Sequence, residues 1–188
     1  MDADLAIATI VTWLDNVHVE TAQARLDEAR GEFLTKLPHT PALYVGAPGS
    51  RLCIHEASHA VAAHFGGLGV ARVCVLEHGG GCEYGSGDES FERRLASTVA
   101  DLTAVFSELH IGADDARRHQ LAHSPDVLQA RLRLDTLRAD GVSSRVCVTL
   151  AACLALSRWA AIVRVATVLG VLGELGAAEV AALAQGAQ

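Results

Sequence analysis

The chain has 188 residues, enough for one domain with a sizeable core. Hydrophobic residues make up 51% and aromatic residues only 4%, which excludes intrinsic disorder and calls for a core of Ala, Leu and Val in closely packed helices. A net charge of −7 argues against the basic footprint that nucleic-acid binding requires.

Residues 3–36 carry a helical pattern. Leu5, Ile7, Ile10, Val11 and Leu14 form one apolar stripe, Asn16 with Val17 and Val19 interrupts it, and Ala22, Leu26, Ala29, Phe33 and Leu37 resume it. Pro38 to Pro41 and Gly46 to Ser50 then mark a loop. Residues 1–49 therefore read as an N-terminal helical segment with its loop, and residues 50–188 as the unit that carries the chemistry. Ser50 caps a helix over 51–65, which Gly66-Gly67 ends. Ala71–Leu76 reads as a short strand, His78–Gly81 as a turn and Cys82–Tyr84 as the return strand. A helix follows over 91–111, with Leu95, Val99, Leu102, Val105, Phe106 and Leu109 on its apolar side, and the polar stretch 112–123 reads as a loop. Ser124-Pro125 opens a helix over about 126–139.

Helices over 143–157 and 158–173, and a short one over 176–185, complete the chain. Residues 146–175 are apolar enough to raise the question of a membrane span. Arg158 and Arg164 interrupt them, and the longest uncharged piece before Arg158 has 12 residues, where a span needs about 20. They read as core helices. The expected fold class is mainly α with a small β-hairpin or sheet (α+β).

Five cysteines, Cys53, Cys74, Cys82, Cys147 and Cys153, are an odd number with no CxxC pair, so neither a disulfide framework nor an all-cysteine zinc site is expected. A reducing, cytoplasmic setting suits them. The acidic start Met1-Asp2-Ala3-Asp4 is unlike a secretory signal.

The chemistry concentrates in His55-Glu56-Ala57-Ser58-His59, an HExxH motif inside a predicted helix. Histidines at i and i+4 project from one helical face and can share one Zn²⁺. Glu56, rotated along the helix, can reach a water beside the metal without being a ligand. It can take the water proton as general base and later deliver it to a leaving amine. Random placement in a chain of this composition yields roughly 0.02–0.03 such motifs, so chance is a poor explanation for it.

A tetrahedral site needs a third protein ligand. An arrangement with glycine at 62 and histidine at 65 is excluded by Ala62 and Phe65. His64 points to another face, and the helical angle of Cys53 directs it away. Glu108, Asp126, His110, His119 and His123 remain, and spacing alone does not choose among them.

The segment His55-Glu56-Ala57-Ser58-His59-Ala60-Val61 resembles the HEAGHAV motif in the peptidase domain of FtsH-type membrane AAA+ metalloproteases. The similarity continues in order over roughly residues 50–184. Val73–Leu76 with Gly79–Gly81 resembles the family's strand and glycine turn. Leu95–Gly112 resembles its following helix. Ser124-Pro125-Asp126-Val127-Leu128-Gln129-Ala130 resembles the segment whose aspartate is the family's third zinc ligand. Trp159–Ala166 and Gly173–Val180 resemble its closing helices. The zinc motif is specific, and the other segments persuade by their order.

The resemblance implies a zincin-like site with His55, His59 and Asp126 as zinc ligands and Glu56 as the catalytic base. It also implies a hairpin after the zinc helix, a C-terminal helical bundle, and a peptide or unfolded-protein substrate. The family's glycine is Ser58 in this chain, and the glycine pair of its middle helix falls near Thr103-Ala104. The 188 residues carry no AAA+ module, because Gly46–Ser50 is too short and lacks the lysine of a nucleotide-binding loop. A chain of this kind would cut already exposed peptides, borrow a separate ATPase or other protein partner, or act on another substrate. A homo-oligomer is compatible with it. The competing expectation is a non-proteolytic zinc protein on the same scaffold, either a regulatory or binding subunit or a metal enzyme for a small or modified-peptide substrate. Glu56 favours an enzyme, since a purely structural zinc site would not need it.

Overall fold

The computed structural model describes residues 1–36, 50–76, 79–85, 87 and 89–186. The loop expected over 38–49, with its glycine-proline stretch, lies outside the described residues, as do Leu37 and His78 of the expected turn. The chain is mainly helical with one small antiparallel sheet, as the composition and patterning lead one to expect.

The helix carrying HExxH, α3 (Arg51–Phe65), is the central rod. The Ser50 hydroxyl accepts from the Cys53 amide at its N-terminus. Every residue from Cys53 to Ala63 is buried, which makes α3 an interior helix enclosed on all sides rather than an amphipathic surface one. Small side chains permit this. Ala57, Ala60 and Ala63 are fully buried, and so is Ser58, whose hydroxyl donates to the Ile54 carbonyl at 2.7 Å. Ser58 is thus accommodated in the buried helix by bonding back to its own backbone.

Three layers enclose this rod. One is the helix α4 (Phe91–His110), capped by Ser90, whose apolar stripe includes Leu102, Val105, Phe106 and Leu109. A second is the α7–α8 pair (Ser144–Ser157 and Trp159–Leu172). The third is the sheet, in the order β2-β1-β3, formed by β1 (Val70–Leu76), β2 (Gly79–Tyr84) and β3 (Glu174–Gly176). Two helices complete this C-terminal part, α6 (Pro125–Ala139) and α9 (Ala177–Gln185).

Three elements differ from the sequence reading. Gly79–Gly81 lies inside β2, paired with Leu76, Val75 and Cys74 of β1, rather than forming the turn. β3, only three residues long, pairs Leu175 with Val73 and was hidden within the link between two helices. The polar stretch expected to be a loop contains α5 (Asp115–Ala122), started by Asp114, whose carboxylate accepts from the Arg117 amide, and anchored by Leu121. One buried side chain gives too little periodicity to register as a helix.

The N-terminal helices α1 (Ala3–Asn16) and α2 (Val19–Lys36) join the same body. Ala6, Ile10 and Leu14 of α1 are fully buried in the common core, against α4, α6 and α7. Arg131 of α6 donates to the Val17 carbonyl between α1 and α2 at 2.9 Å. Among the described residues no single helix is long and apolar enough to cross a membrane. α7 and α8 together have the length, but they turn 72° at Arg158, whose guanidinium lies 4.0 Å from the centre of the Phe65 ring.

Candidate metal centre

His55 and His59 project from α3 toward the first turn of α6. Ser124 caps that turn, accepting from the Val127 amide at 3.4 Å, and Pro125 opens it. Asp126 therefore sits in the first turn of α6, where the helix dipole favours a carboxylate. Its Oδ2 lies 3.0 Å from His55 Nε2 and its Oδ1 lies 3.2 Å from His59 Nε2. One donor atom from each of the three residues falls within 4.8 Å of the others. Ligands about 2.0–2.1 Å from a tetrahedral zinc stand about 3.3 Å apart. Two neutral imidazole nitrogens and a carboxylate oxygen at these separations fit such an ion.

The opposite nitrogens of the imidazoles are also engaged. His55 Nδ1 lies 2.7 Å from Glu108 Oε1, a contact set by distance and charge rather than by a straight hydrogen bond. Glu108 is fully buried on α4 and is gripped by Arg117 of α5, with Nε donating to Oε2 at 2.7 Å and Nη2 to Oε1 at 2.5 Å. His59 Nδ1 lies 2.9 Å from the Tyr84 hydroxyl of β2 and 3.7 Å from Asp101 Oδ1 of α4. Asp101 in turn accepts from Arg133 of α6.

Of the open ligand candidates, the geometry gathers Asp126 with the two histidines and places Glu108 behind His55. His110 lies elsewhere, stacked on Phe106 and edge-on to Trp159. His119 and His123 sit beside each other on the exposed side of α5. His64 packs edge-on to Phe65. Cys53 is buried and accepts the Ser50 hydroxyl proton at 3.1 Å.

Glu56 is buried beside the two histidines and faces β2. A Cβ at Gly80 would stand 2.5 Å from Glu56 Cγ and 2.6 Å from its Oε1. The strand approaches the carboxylate this closely only because position 80 has no side chain. β2 is an edge of the described sheet, so its outer side carries no strand there.

Burial and charge act against each other throughout this cluster. Burial alone would lower His55, but Asp126 and Glu108 outweigh it and hold the imidazole well above its ordinary value. His59 is likewise raised, with burial opposed by Asp126. Burial would raise Asp126, yet His59 and His55 pull it below the usual carboxylate range. Burial would raise Glu108, yet His55 and Arg117 hold it low. Burial prevails at Glu56, which is raised, and at Asp101, which is lifted to about 6 against the pull of Arg133 and His59. A divalent cation held by this group would compete with protons for the same imidazole nitrogens and carboxylate oxygens.

Asp101, Tyr84, Arg117 and Arg133 were not singled out by the sequence reading, and Gly80 entered it only as part of the Gly79–Gly81 turn. One signal was available. Asp101 and Glu108 are acidic residues seven apart, two turns along the apolar side of α4. A buried carboxylate there is costly unless it is paired, so each implies a cationic partner. No protein-family model matches the chain, and no curated protein matches it in sequence.

Proposed function

We propose that the protein is a zinc-dependent peptidase acting on peptides or unfolded protein segments, similar in its site to the peptidase domain of FtsH-type proteases. The observation that carries this reading is the placement of Glu56. A buried, raised carboxylate stands beside a His55–His59–Asp126 donor group and against a glycine of an edge strand. A structural metal site has no use for that carboxylate.

A divalent metal in the donor group would supply a Lewis acid that polarises water and the scissile carbonyl. The chain's own residues do the rest. Glu56 accepts a proton from water as the water oxygen bonds to the carbonyl carbon. As the carbon–nitrogen bond breaks, Glu56 passes that proton to the departing amine. Burial raises the Glu56 carboxyl above its ordinary value, which strengthens it as a proton acceptor. An extended substrate would pair along the outer side of β2, beside Gly80, with its carbonyl brought over Glu56. Folded proteins offer no such strand, so unfolded chains are the expected substrates.

The test compares wild type with Glu56→Gln on an unfolded casein-like protein, with zinc content measured in both. Glu56→Gln should keep the zinc and the fold and lose about 10²–10⁴-fold in hydrolysis. A zinc-loaded wild type that cuts no unfolded protein or peptide, or a variant as active as wild type, would overturn the reading.

A further inference from the structure

Each candidate ligand imidazole is backed by its own arginine–carboxylate pair, with both carboxylates on α4 and the two arginines on different helices. Behind His55 stand Glu108 of α4 and Arg117 of α5. Behind His59 stand Asp101 of α4 and Arg133 of α6, with the Tyr84 hydroxyl between strand and ring. We infer that Arg117 and Arg133 are positioning residues for the metal centre: through Glu108 and Asp101 they hold both imidazoles with Nε2 turned toward Asp126. The inference rests on the metal-site reading above.

Geometry supplies the argument. An imidazole on a helix can rotate about its side-chain bonds, and either ring nitrogen can face the ion. A carboxylate held next to Nδ1 favours a proton on that nitrogen and leaves Nε2 free to coordinate; Glu108 does this at His55 from 2.7 Å, while at His59 the Tyr84 hydroxyl bonds Nδ1 at 2.9 Å and Asp101, at 3.7 Å, acts through its charge. The carboxylate must itself be held. Glu108 is fully buried, and α4 provides it no cation, so its orientation depends on Arg117. That guanidinium engages both oxygens, an arrangement that fixes the carboxylate plane as well as its charge. Asp101 is held through one oxygen, Oδ2, which leaves Oδ1 turned toward His59. The two arginines are not general stabilisers of the same kind as Arg138, which bonds Asp15 and the Ser144 hydroxyl. Arg138 lies 12 residues beyond Asp126 along α6, about 18 Å at helical rise.

The experiment measures Co²⁺ and Zn²⁺ affinity by chelator competition, and the visible spectrum of the Co²⁺ form, for wild type, Arg117→Met, Arg133→Met and Arg138→Met. Loss of support behind a ligand histidine typically weakens metal binding about 10–100-fold. Arg117→Met and Arg133→Met should each fall in or near that range and change the Co²⁺ spectrum. Arg138→Met should do neither, although it also loses an ion pair. If Arg117→Met fails to fold, Glu108→Gln keeps the side-chain shape and should show the same loss and spectral change. Wild-type affinity and spectrum in the Arg117 and Arg133 variants would overturn the inference alone. A wild type that binds neither ion would overturn the metal-site reading, and this inference with it.

Discussion

The closest approach of the sheet to the candidate site gives the sharpest perturbation. In Gly80→Ala the new methyl would stand 2.5 Å from Glu56 Cγ and 2.7 Å from Cδ, where ordinary contact begins at 3.4 Å. The Glu56 side chain must therefore yield by about 1 Å. The three nearest atoms to this methyl all belong to Glu56. Position 81 supplies an internal control, because a Cβ there meets nothing within 4 Å. A misplacement of about 1 Å in a reacting group can cost on the order of 10²-fold, or about 2.7 kcal/mol of barrier. Gly80→Ala should thus lose about two orders of magnitude in turnover of an unfolded protein substrate while its zinc content stays at the wild-type level. Gly81→Ala should retain most of the activity. The assay is initial-rate proteolysis alongside elemental analysis. Undiminished turnover in Gly80→Ala, or an equal loss in Gly81→Ala, would refute the idea that position 80 sets the place of Glu56.

Asp126→Ala should lower zinc affinity far more than Glu108→Gln, because only Asp126 faces both Nε2 atoms; chelator competition checks this, and the reverse order would remove Asp126 from the ligand set. The metal-free protein should lose stability as pH rises above 6.5. His55 and His59 are raised in the folded state, so their contribution is complete below 6.5 and disappears as pH passes through the raised values. Metal stabilisation has the opposite sign, since the ligands must be deprotonated to bind, so melting curves with zinc and with chelator should diverge toward alkaline pH. A metal-free melting temperature that climbs from pH 6.5 to 8.5 would contradict this. Ile10→Ala should cost about 2–5 kcal/mol in denaturant unfolding, since Ile10 is fully buried in the common core. A loss below about 1 kcal/mol would mean that α1 is not part of the folding unit.

What was legible in the sequence follows the range of the interactions. His55, Glu56 and His59 are set by a single helix turn, so spacing alone identified them. Asp126 is brought to them by the packing of α6, and no local pattern announces a partner so far along the chain; the resemblance, not the periodicity, pointed to it. Arg117 and Arg133 were missed because an arginine on a mostly polar helix surface has no signature until its carboxylate is located. Gly79–Gly81 reads as a turn because glycine is a poor strand former. In β2 the backbone pairing with β1 and the proximity of Glu56 override that preference. The boundary expected at residue 49 rested on loop composition alone and lies outside the described residues.

The arrangement around α5 has a consequence for how the molecule opens. Local unfolding free energy tracks buried apolar contact. α3 is enclosed along eleven consecutive residues, whereas α5 is pinned by Leu121 alone among its buried side chains. The amides of α3 should therefore exchange with solvent only when much of the domain comes apart, and those of α5 through a small local excursion. Arg117 travels with α5. The outermost support of His55 is thus attached to one of the least durable elements, and it can be released without disturbing the helix that presents the histidines.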